Sequence, residues 1–186
     1  MPRIKSLTTK EDVLPEQADE IEAIIATLGR VGGPFGILLH SPGLAQKVME
    51  AGAHVRLKTS ITMIERELAL LSTLREKDAA YEWSGHVQTA RKAGMRDEAI
   101  EAMRYRNGDT SKLEPDERDI IEYTRQLLRT NKVDEALQKA MIARHSARWM
   151  VEITATIGQY QSIAAINCAF AVEPPADATD KLPIPG

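Results

Sequence analysis

Two helical patterns that follow each other closely within residues 62–94 constrain the fold of this chain more than any other feature. In the first pattern, two adjacent rows of mostly apolar residues recur at helical spacing: Met63, Glu67, Leu70 and Leu74 in one row, and Ile64, Leu68 and Leu71 in the other. Rows this close together make a wide apolar face, which is typical of a well-buried helix. The second pattern extends from about Ala79 to Ala93. The short connection predicts that the two helices pack side by side in antiparallel orientation.

Local signals at helix ends predict where these and other helices begin. Thr62 and Glu65 resemble a capping box, and Gly94 is typical of the residue that follows a helix. The Ser-Pro and Glu-Pro pairs at positions 41–42 and 114–115 predict two more helix starts. Periodic apolar residues predict further helices near residues 16–30, 96–104, 133–143 and 146–171, and residues 35–40 are predicted to form an apolar linker.

The composition agrees with an all-α fold. Hydrophobic residues make up 43% of the 186 residues and aromatic residues only 4%, so the core consists mostly of aliphatic side chains that favour helices. No convincing strand and no fixed-period repeat are found. We therefore predict an extended N-terminal lead-in at residues 1–15, a single helical domain at residues 16–172, and a proline-rich tail at residues 173–186 that is extended or poorly packed.

Charge and cysteine content exclude several classes of function. The formal net charge of −3 gives no basic footprint for nucleic acid. Cys168 is the single cysteine, so no intramolecular disulfide, CxxC motif or all-thiolate metal site can form within one chain. The chain has no signal-like apolar stretch at its start and no apolar run of about 18 residues, so we expect a cytoplasmic protein that does not bind membranes.

Three ionisable residues interrupt the apolar rows of the two central helices. Glu82 and His86 lie one turn apart on a face that otherwise carries Trp83 and alanines, and Glu67 lies in the row that also holds Leu70. If the helices pack antiparallel, the three side chains meet in their interface. Two carboxyl groups and an imidazole in a partly dry site perturb one another's protonation, as proton transfer near neutral pH requires.

Other interpretations of these three residues remain open. A Glu–His pair at this spacing is common on exposed helices, and a buried pair can be purely structural. One histidine and two carboxylates also suit a metal ion, but no E-x-x-H or H-x-x-x-H spacing supports a metal site. We therefore predict neither a metal nor a cofactor.

Residues 65–100 resemble the core of the carboxymuconolactone decarboxylase-like family, which shares the alkylhydroperoxidase D fold. The matching positions are Arg66 to Ala69, Tyr81, Glu82, Trp83, His86, Ala90, Ala93 and Gly94, with weaker similarity at Ile157, Gly158, Tyr160, Ala164 and Asn167. The resemblance implies an all-α bundle of about six to eight helices. It also implies a homo-oligomer, typically a trimer or hexamer, acting on a small molecule.

The resemblance further indicates which branch of the superfamily this chain is similar to. The peroxidase branch uses E…C-x-x-C-x-x-x-H; aligned on His86, its cysteines fall on Ala79 and Glu82 and its upstream glutamate on Glu67. A disulfide-forming pair cannot be replaced by Ala and Glu, and Cys168 is distant in sequence. We therefore expect no thiol-dependent peroxide reduction and a branch without the CxxC motif.

Similarity to the decarboxylase branch implies a cofactor-independent carboxy-lyase acting on 4-carboxymuconolactone or a related small acid. On this reading His86 transfers the proton, Glu82 orients or tunes it, and Glu67 is its partner or a second acid. The candidate substrate-binding residues are Tyr81, Trp83, His40 and Tyr160. Because the substrate carries carboxylates, arginines are also required, and Arg91, Arg118 and Arg148 are the candidates.

Two alternative functions compete with the lyase. The first is a non-catalytic homo-oligomeric binding or assembly protein of the same fold, which predicts that Glu67, Glu82 and His86 are exposed or held in structural pairs without an adjoining cavity. The second is an alkylhydroperoxidase-like antioxidant protein, which the missing cysteine pair disfavours.

Overall fold

The computed structural model describes residues 2–184, and within them the chain is all helical and contains no strand. Two 3-10 turns, Lys10–Asp12 and Pro15–Gln17, precede nine α-helices. The helices are α1 (Ala18–Leu28), α2 (Pro34–Leu38), α3 (Pro42–Leu57), α4 (Met63–Glu76), α5 (Ala80–Lys92), α6 (Asp97–Arg104), α7 (Pro115–Thr130), α8 (Glu135–Arg144) and α9 (Ala147–Ala169). None of these helices combines the length and the apolar character that crossing a membrane requires.

Helix α2 was not expected and raises the helix number above the predicted six to eight. Proline occupies the first position of this helix, where its missing N–H would have no intrahelical partner. Gly33, just before it, has φ 55°, a left-handed conformation that lets the chain turn sharply into the helix. Most of the predicted linker therefore belongs to the short helix α2, and three residues separate its end from the start of α3.

Helix α4 forms the centre of the bundle and packs against α5, α6, α7 and α9. Every residue from Arg66 to Glu76 is buried, as its wide apolar face predicts. Its start is the predicted capping box: Thr62 Oγ1 accepts from the Glu65 amide at 3.2 Å, and the Glu65 carboxylate accepts from the Thr62 amide at 2.6 Å. This central helix fixes the position of Glu67.

A second, smaller core joins α1, α2 and α3 to the C-terminal half of α9. It includes Ile21, Leu39, Met49 and Ile163, whereas α4 to α9 share the main core. Ala45 and Met49 are the α3 side chains of this core, whereas Leu44 on the same helix is exposed. The functional site lies where the two cores meet.

The proline-rich tail was expected to be extended or poorly packed; it has no helix, and it is packed against the bundle. Leu182 is buried in the main core. Arg75 of α4 donates to the Pro183 carbonyl at 2.6 Å, and Arg91 of α5 pairs with Asp180 at 2.6 Å. The tail therefore crosses α5 and α6 in a defined position.

Candidate active site

A cavity of about 340 Å³ lies between α3, α5 and α9, and the α1–α2 connection lines a further side of it. Its polar lining consists of Arg30, Arg56, Tyr81, Glu82, His86, Gln159 and Tyr160, and its apolar lining includes Leu28, Pro34, Phe35, Met49 and Ile163. A second cavity of about 730 Å³ shares the wall formed by Arg30, Tyr81, Glu82 and His86, and tail residues Pro175, Asp177 and Ala178 line its other side. A concave site that combines apolar walls with convergent polar side chains is typical of small-molecule binding.

His86 and Glu67 form a hydrogen-bonded pair across the α4–α5 interface. His86 Nδ1 lies 2.8 Å from Glu67 Oε2, and Glu67 is fully buried. Arg66 donates to the other oxygen of Glu67, with Nη2 3.1 Å from Oε1. Because Nδ1 is engaged, Nε2 is the ring nitrogen left for a ligand, and no side chain within residues 2–184 hydrogen-bonds to it. This arrangement fixes the tautomer and the orientation of an imidazole at the cavity wall.

Glu82 does not orient His86, although the sequence pattern allowed that role. Its Oε1 accepts a hydrogen bond from the Asn167 amide of α9, and its Oε2 is buried without a partner among the described residues. Burial raises the pKa of Glu82 to about 7, while the His86 charge and the Asn167 amide act in the opposite direction. A carboxyl group with such a pKa exchanges protons near neutral pH.

Two tyrosines line the cavity together with His86, and one of them contacts it. The Tyr160 ring meets His86 edge-on, with ring centroids 5.4 Å apart, and burial raises the pKa of Tyr160 to about 12. The Tyr81 ring packs against Gly33, where a Cβ atom would overlap it. Burial also raises the pKa of Tyr81, partly offset by the charge of nearby Arg30. Both tyrosines are therefore neutral hydrogen-bonding groups at neutral pH.

Two predicted substrate-binding residues lie outside the cavity. Trp83 is fully buried in the main core, with the Arg104 guanidinium 5.7 Å from its ring centroid. It lies about 60° around α5 from His86, on the flank of the helix that packs into the main core. His40 is exposed, and its Nε2 lies 2.9 Å from the Lys5 carbonyl oxygen. Neither side chain lines the pocket.

The arginines of the site are not those that the sequence put forward. None of the three predicted arginines lines the cavity. Arg91 pairs with Asp97 and Asp180, Arg118 pairs with Asp119, and Arg148 pairs with Glu152. Arg30 and Arg56 line it instead, and no acidic side chain in residues 2–184 forms an ion pair with either. In that part of the chain, Arg3 is the only other arginine without an ion pair.

Two sequence signals pointed towards these arginines. Arg56 lies one turn after Gly52 and two turns after Met49, both of which also line the cavity. Arg30 follows Gly29, whose φ of 76° ends α1 and turns the chain over the site. Neither signal identifies the cavity without the packing of α3 against α9.

Cys168 is closer to the cysteine-motif positions than its place in the sequence indicated. It shares a small cavity of about 200 Å³ with Ala79 and Tyr81. Burial and the charge of Glu82 raise the pKa of its thiol, which disfavours the reactive thiolate. Within the described part of the chain, no three His, Cys, Asp or Glu side chains converge as metal ligands.

Comparison with known proteins places this helical site in a recognised class. Residues 42–113, from α3 to the loop after α6, match the model of the carboxymuconolactone decarboxylase family. The resemblance inferred from residues 65–100 is thereby confirmed for this segment of the chain.

A solved structure shows that the whole chain shares the fold. It is an uncharacterized peroxidase-related protein from Silicibacter sp. TM1040, 16% identical, with a TM-score of 0.75 and coverage of 96% of each chain. The predicted alkylhydroperoxidase D-like helical bundle is thereby confirmed. No protein with curated annotation matches this sequence significantly.

Proposed function

We propose that this protein is a cofactor-independent carboxy-lyase that acts on a small carboxylated lactone or related acid. The observation that carries the proposal is the His86–Glu67 pair: His86 lines the cavity with Nε2 free of partners among the described residues, while the fully buried Glu67 carboxyl group holds Nδ1 at 2.8 Å. An imidazole oriented in this way is suited to transfer a proton to a bound substrate.

The chemistry needs no group beyond the side chains of the cavity. In 4-carboxymuconolactone the bond to the departing carboxylate breaks, and its electron pair moves into the conjugated lactone carbonyl as CO₂ leaves. His86 then delivers one proton from Nε2 to the resulting dienolate carbon and regains one from solvent. Glu67 balances the positive charge of the imidazolium state and keeps the ring in place.

Arg30 and Arg56 supply the carboxylate-binding groups that this reaction requires. They come from different elements, the end of α1 and the end of α3, and both lack an acidic partner in residues 2–184. Arginine binds carboxylates through two parallel hydrogen bonds and keeps its charge at all relevant pH values. Glu67 does not repel the substrate strongly, because Arg66 and His86 already engage both of its oxygens.

The cavity also favours catalysis over the binding or assembly alternative. That alternative predicts structural pairing without an adjoining pocket, whereas His86 and Glu82 both border the 340 Å³ cavity. A thiol peroxidase is disfavoured by the raised pKa of the Cys168 thiol and by Ala79 and Glu82 at the cysteine positions. Homo-oligomerisation as a trimer or hexamer and a cytoplasmic location remain part of the proposal, carried by the family resemblance.

The proposal is tested by measuring CO₂ release from 4-carboxymuconolactone. We expect His86→Gln to lower kcat by about 10²–10⁴-fold, because the proton-transfer group is lost. His54→Gln is the matched control, since His54 is exposed and does not line the cavity. The native oligomeric size of each variant is measured alongside. Equal turnover by wild type and His86→Gln would refute the role of His86, and no turnover by wild type would refute this substrate.

A further inference from the structure

Glu82 is a buried ionisable group that the proposed proton transfer by His86 leaves unused. One of its carboxyl oxygens accepts from Asn167, and the other has no partner among the described residues. The Asn167 carbonyl oxygen beside it is also buried without a partner. An ionised carboxylate oxygen without a donor is costly to bury, and protonation removes that cost. The geometry therefore favours the neutral carboxylic acid.

The surroundings of Glu82 make its ionisation sensitive to a bound anion. The surrounding charged and titratable groups come from several elements: His86 and Tyr81 on α5, Arg30 after α1, Arg56 on α3, Tyr160 and Cys168 on α9, and Asp177 of the tail, which lines the second cavity opposite Glu82. No arginine within residues 2–184 forms an ion pair with Glu82. A carboxylate that binds to Arg30 and Arg56 brings a negative charge into the cavity that Glu82 lines. A like charge nearby disfavours ionised Glu82.

We propose that a small carboxylate enters the cavity together with a proton that Glu82 takes up, so that Glu82 sets the pH range in which the cavity accepts anions. This inference rests on the proposed function, because Arg30 and Arg56 are taken as the carboxylate-binding groups. The coupling is reciprocal: protonation of Glu82 favours anion binding to the same extent that the anion favours protonation.

The proton taken up matches the needs of the reaction. Decarboxylation converts R–CO₂⁻ and one H⁺ into R–H and CO₂, so each turnover consumes one proton. Glu82 lies one turn before His86 on α5, and the two side chains border the same cavity. Glu82 therefore takes up, within the cavity that His86 also lines, a proton equivalent to the one that each turnover consumes. Asn167 is a positioning residue: its amide donates a hydrogen bond to the Glu82 carboxyl group, which stabilises the ionised form and limits the rise of the Glu82 pKa.

The coupling is tested by calorimetric titration with glutarate, a small dicarboxylate, in two buffers that differ in ionisation enthalpy. At about pH 7.5 we expect wild type to take up a proton on binding, and its affinity to fall by up to about tenfold per pH unit above pH 7. Glu82→Gln should bind without this uptake. His86→Gln is the matched control and should retain the proton uptake, which separates the role of Glu82 from that of the imidazole in the same cavity.

Asn167→Ala provides a second variant that acts through Glu82. Removing the Asn167 amide removes a hydrogen-bond donor from ionised Glu82, so the pKa of Glu82 should rise. The affinity for glutarate should therefore begin to fall at a higher pH than in wild type. Proton uptake that persists in Glu82→Gln and disappears in His86→Gln would overturn the inference. If wild type binds glutarate without taking up a proton, the inference about Glu82 is overturned but the cavity remains a carboxylate site. If wild type does not bind glutarate even at about pH 6, the cavity is not a carboxylate site. A failed turnover assay with intact coupling would refute only the reaction.

Discussion

At the scale of single residues, Glu82 couples the site to the stability of the fold. Burial raises its pKa from 4.5 to about 7, so the folded protein holds this proton more tightly than the unfolded chain. As pH rises from about 4.5, the unfolded chain loses its proton first, and the free energy of unfolding falls until the folded pKa is reached. The ionised carboxyl group is therefore a net cost at neutral and alkaline pH.

Replacing Glu82 by Gln should remove this cost. Between about pH 5 and about pH 8, the free energy of unfolding of wild type should fall by about 3 kcal/mol relative to that of Glu82→Gln. Urea unfolding at a series of pH values measures the difference. Parallel pH profiles for the two proteins would show that Glu82 has an ordinary pKa in the folded state.

The two cavity arginines should control substrate affinity rather than the chemical step. Arg56→Gln and Arg30→Gln should each raise KM for 4-carboxymuconolactone by about tenfold or more, with a smaller effect on kcat, because a charge-assisted pair is lost. Arg148→Gln is the control, since Arg148 pairs with Glu152 on the exposed surface of α9. Unchanged KM in both cavity variants would place the substrate carboxylate elsewhere.

Sequence reasoning identified the ionisable centre of the site but not its binding walls. Glu67 and His86 stood out because each interrupts an apolar row, and that anomaly reflects their meeting across α4 and α5. Trp83 and His40 were assigned to the site wrongly, since periodicity does not separate the core side of α5 from its cavity side. Arg30 was missed because a residue after a helix end acquires its neighbours only from tertiary packing.

At the scale of helices, end signals located most elements within two or three residues. The Ser-Pro, Glu-Pro and Thr-x-x-Glu starts coincide with the starts of α3, α7 and α4. Helix α2 escaped because five residues are too few to show a period, and its start depends on the left-handed conformation of Gly33. Periodicity therefore predicts the long helices but not the short helix α2, which lines the cavity.

The capping box of α4 gives a prediction at this scale. Thr62→Ala should lower the free energy of unfolding by about 1 kcal/mol, because the Glu65 amide loses its acceptor at the start of the central helix. Thr62→Ser keeps the hydroxyl group and should restore most of the loss. Equal destabilisation by Ala and Ser would show that the threonine methyl group, not the cap, is responsible.

At the scale of the whole molecule, the tail is part of the packed structure. Leu182→Ala should cost about 2–5 kcal/mol of unfolding free energy, since Leu182 lies in the main core. Ile184→Ala is the matched control: it removes a similar side chain two residues away that is 49% exposed, and it should have little effect. Similar unfolding midpoints for the two variants in urea would show that the tail is not anchored through Leu182.

The contact between Gly33 and Tyr81 has a consequence for how relatives of this chain are compared. A side chain at position 33 would require both a strained backbone and the displacement of the Tyr81 ring from the cavity wall. Variation at these two positions should therefore be correlated: a larger residue at position 33 should accompany a smaller one at position 81. Such paired changes, separated by almost fifty residues of sequence, would identify relatives whose cavities have a different shape and thus a different choice of ligand.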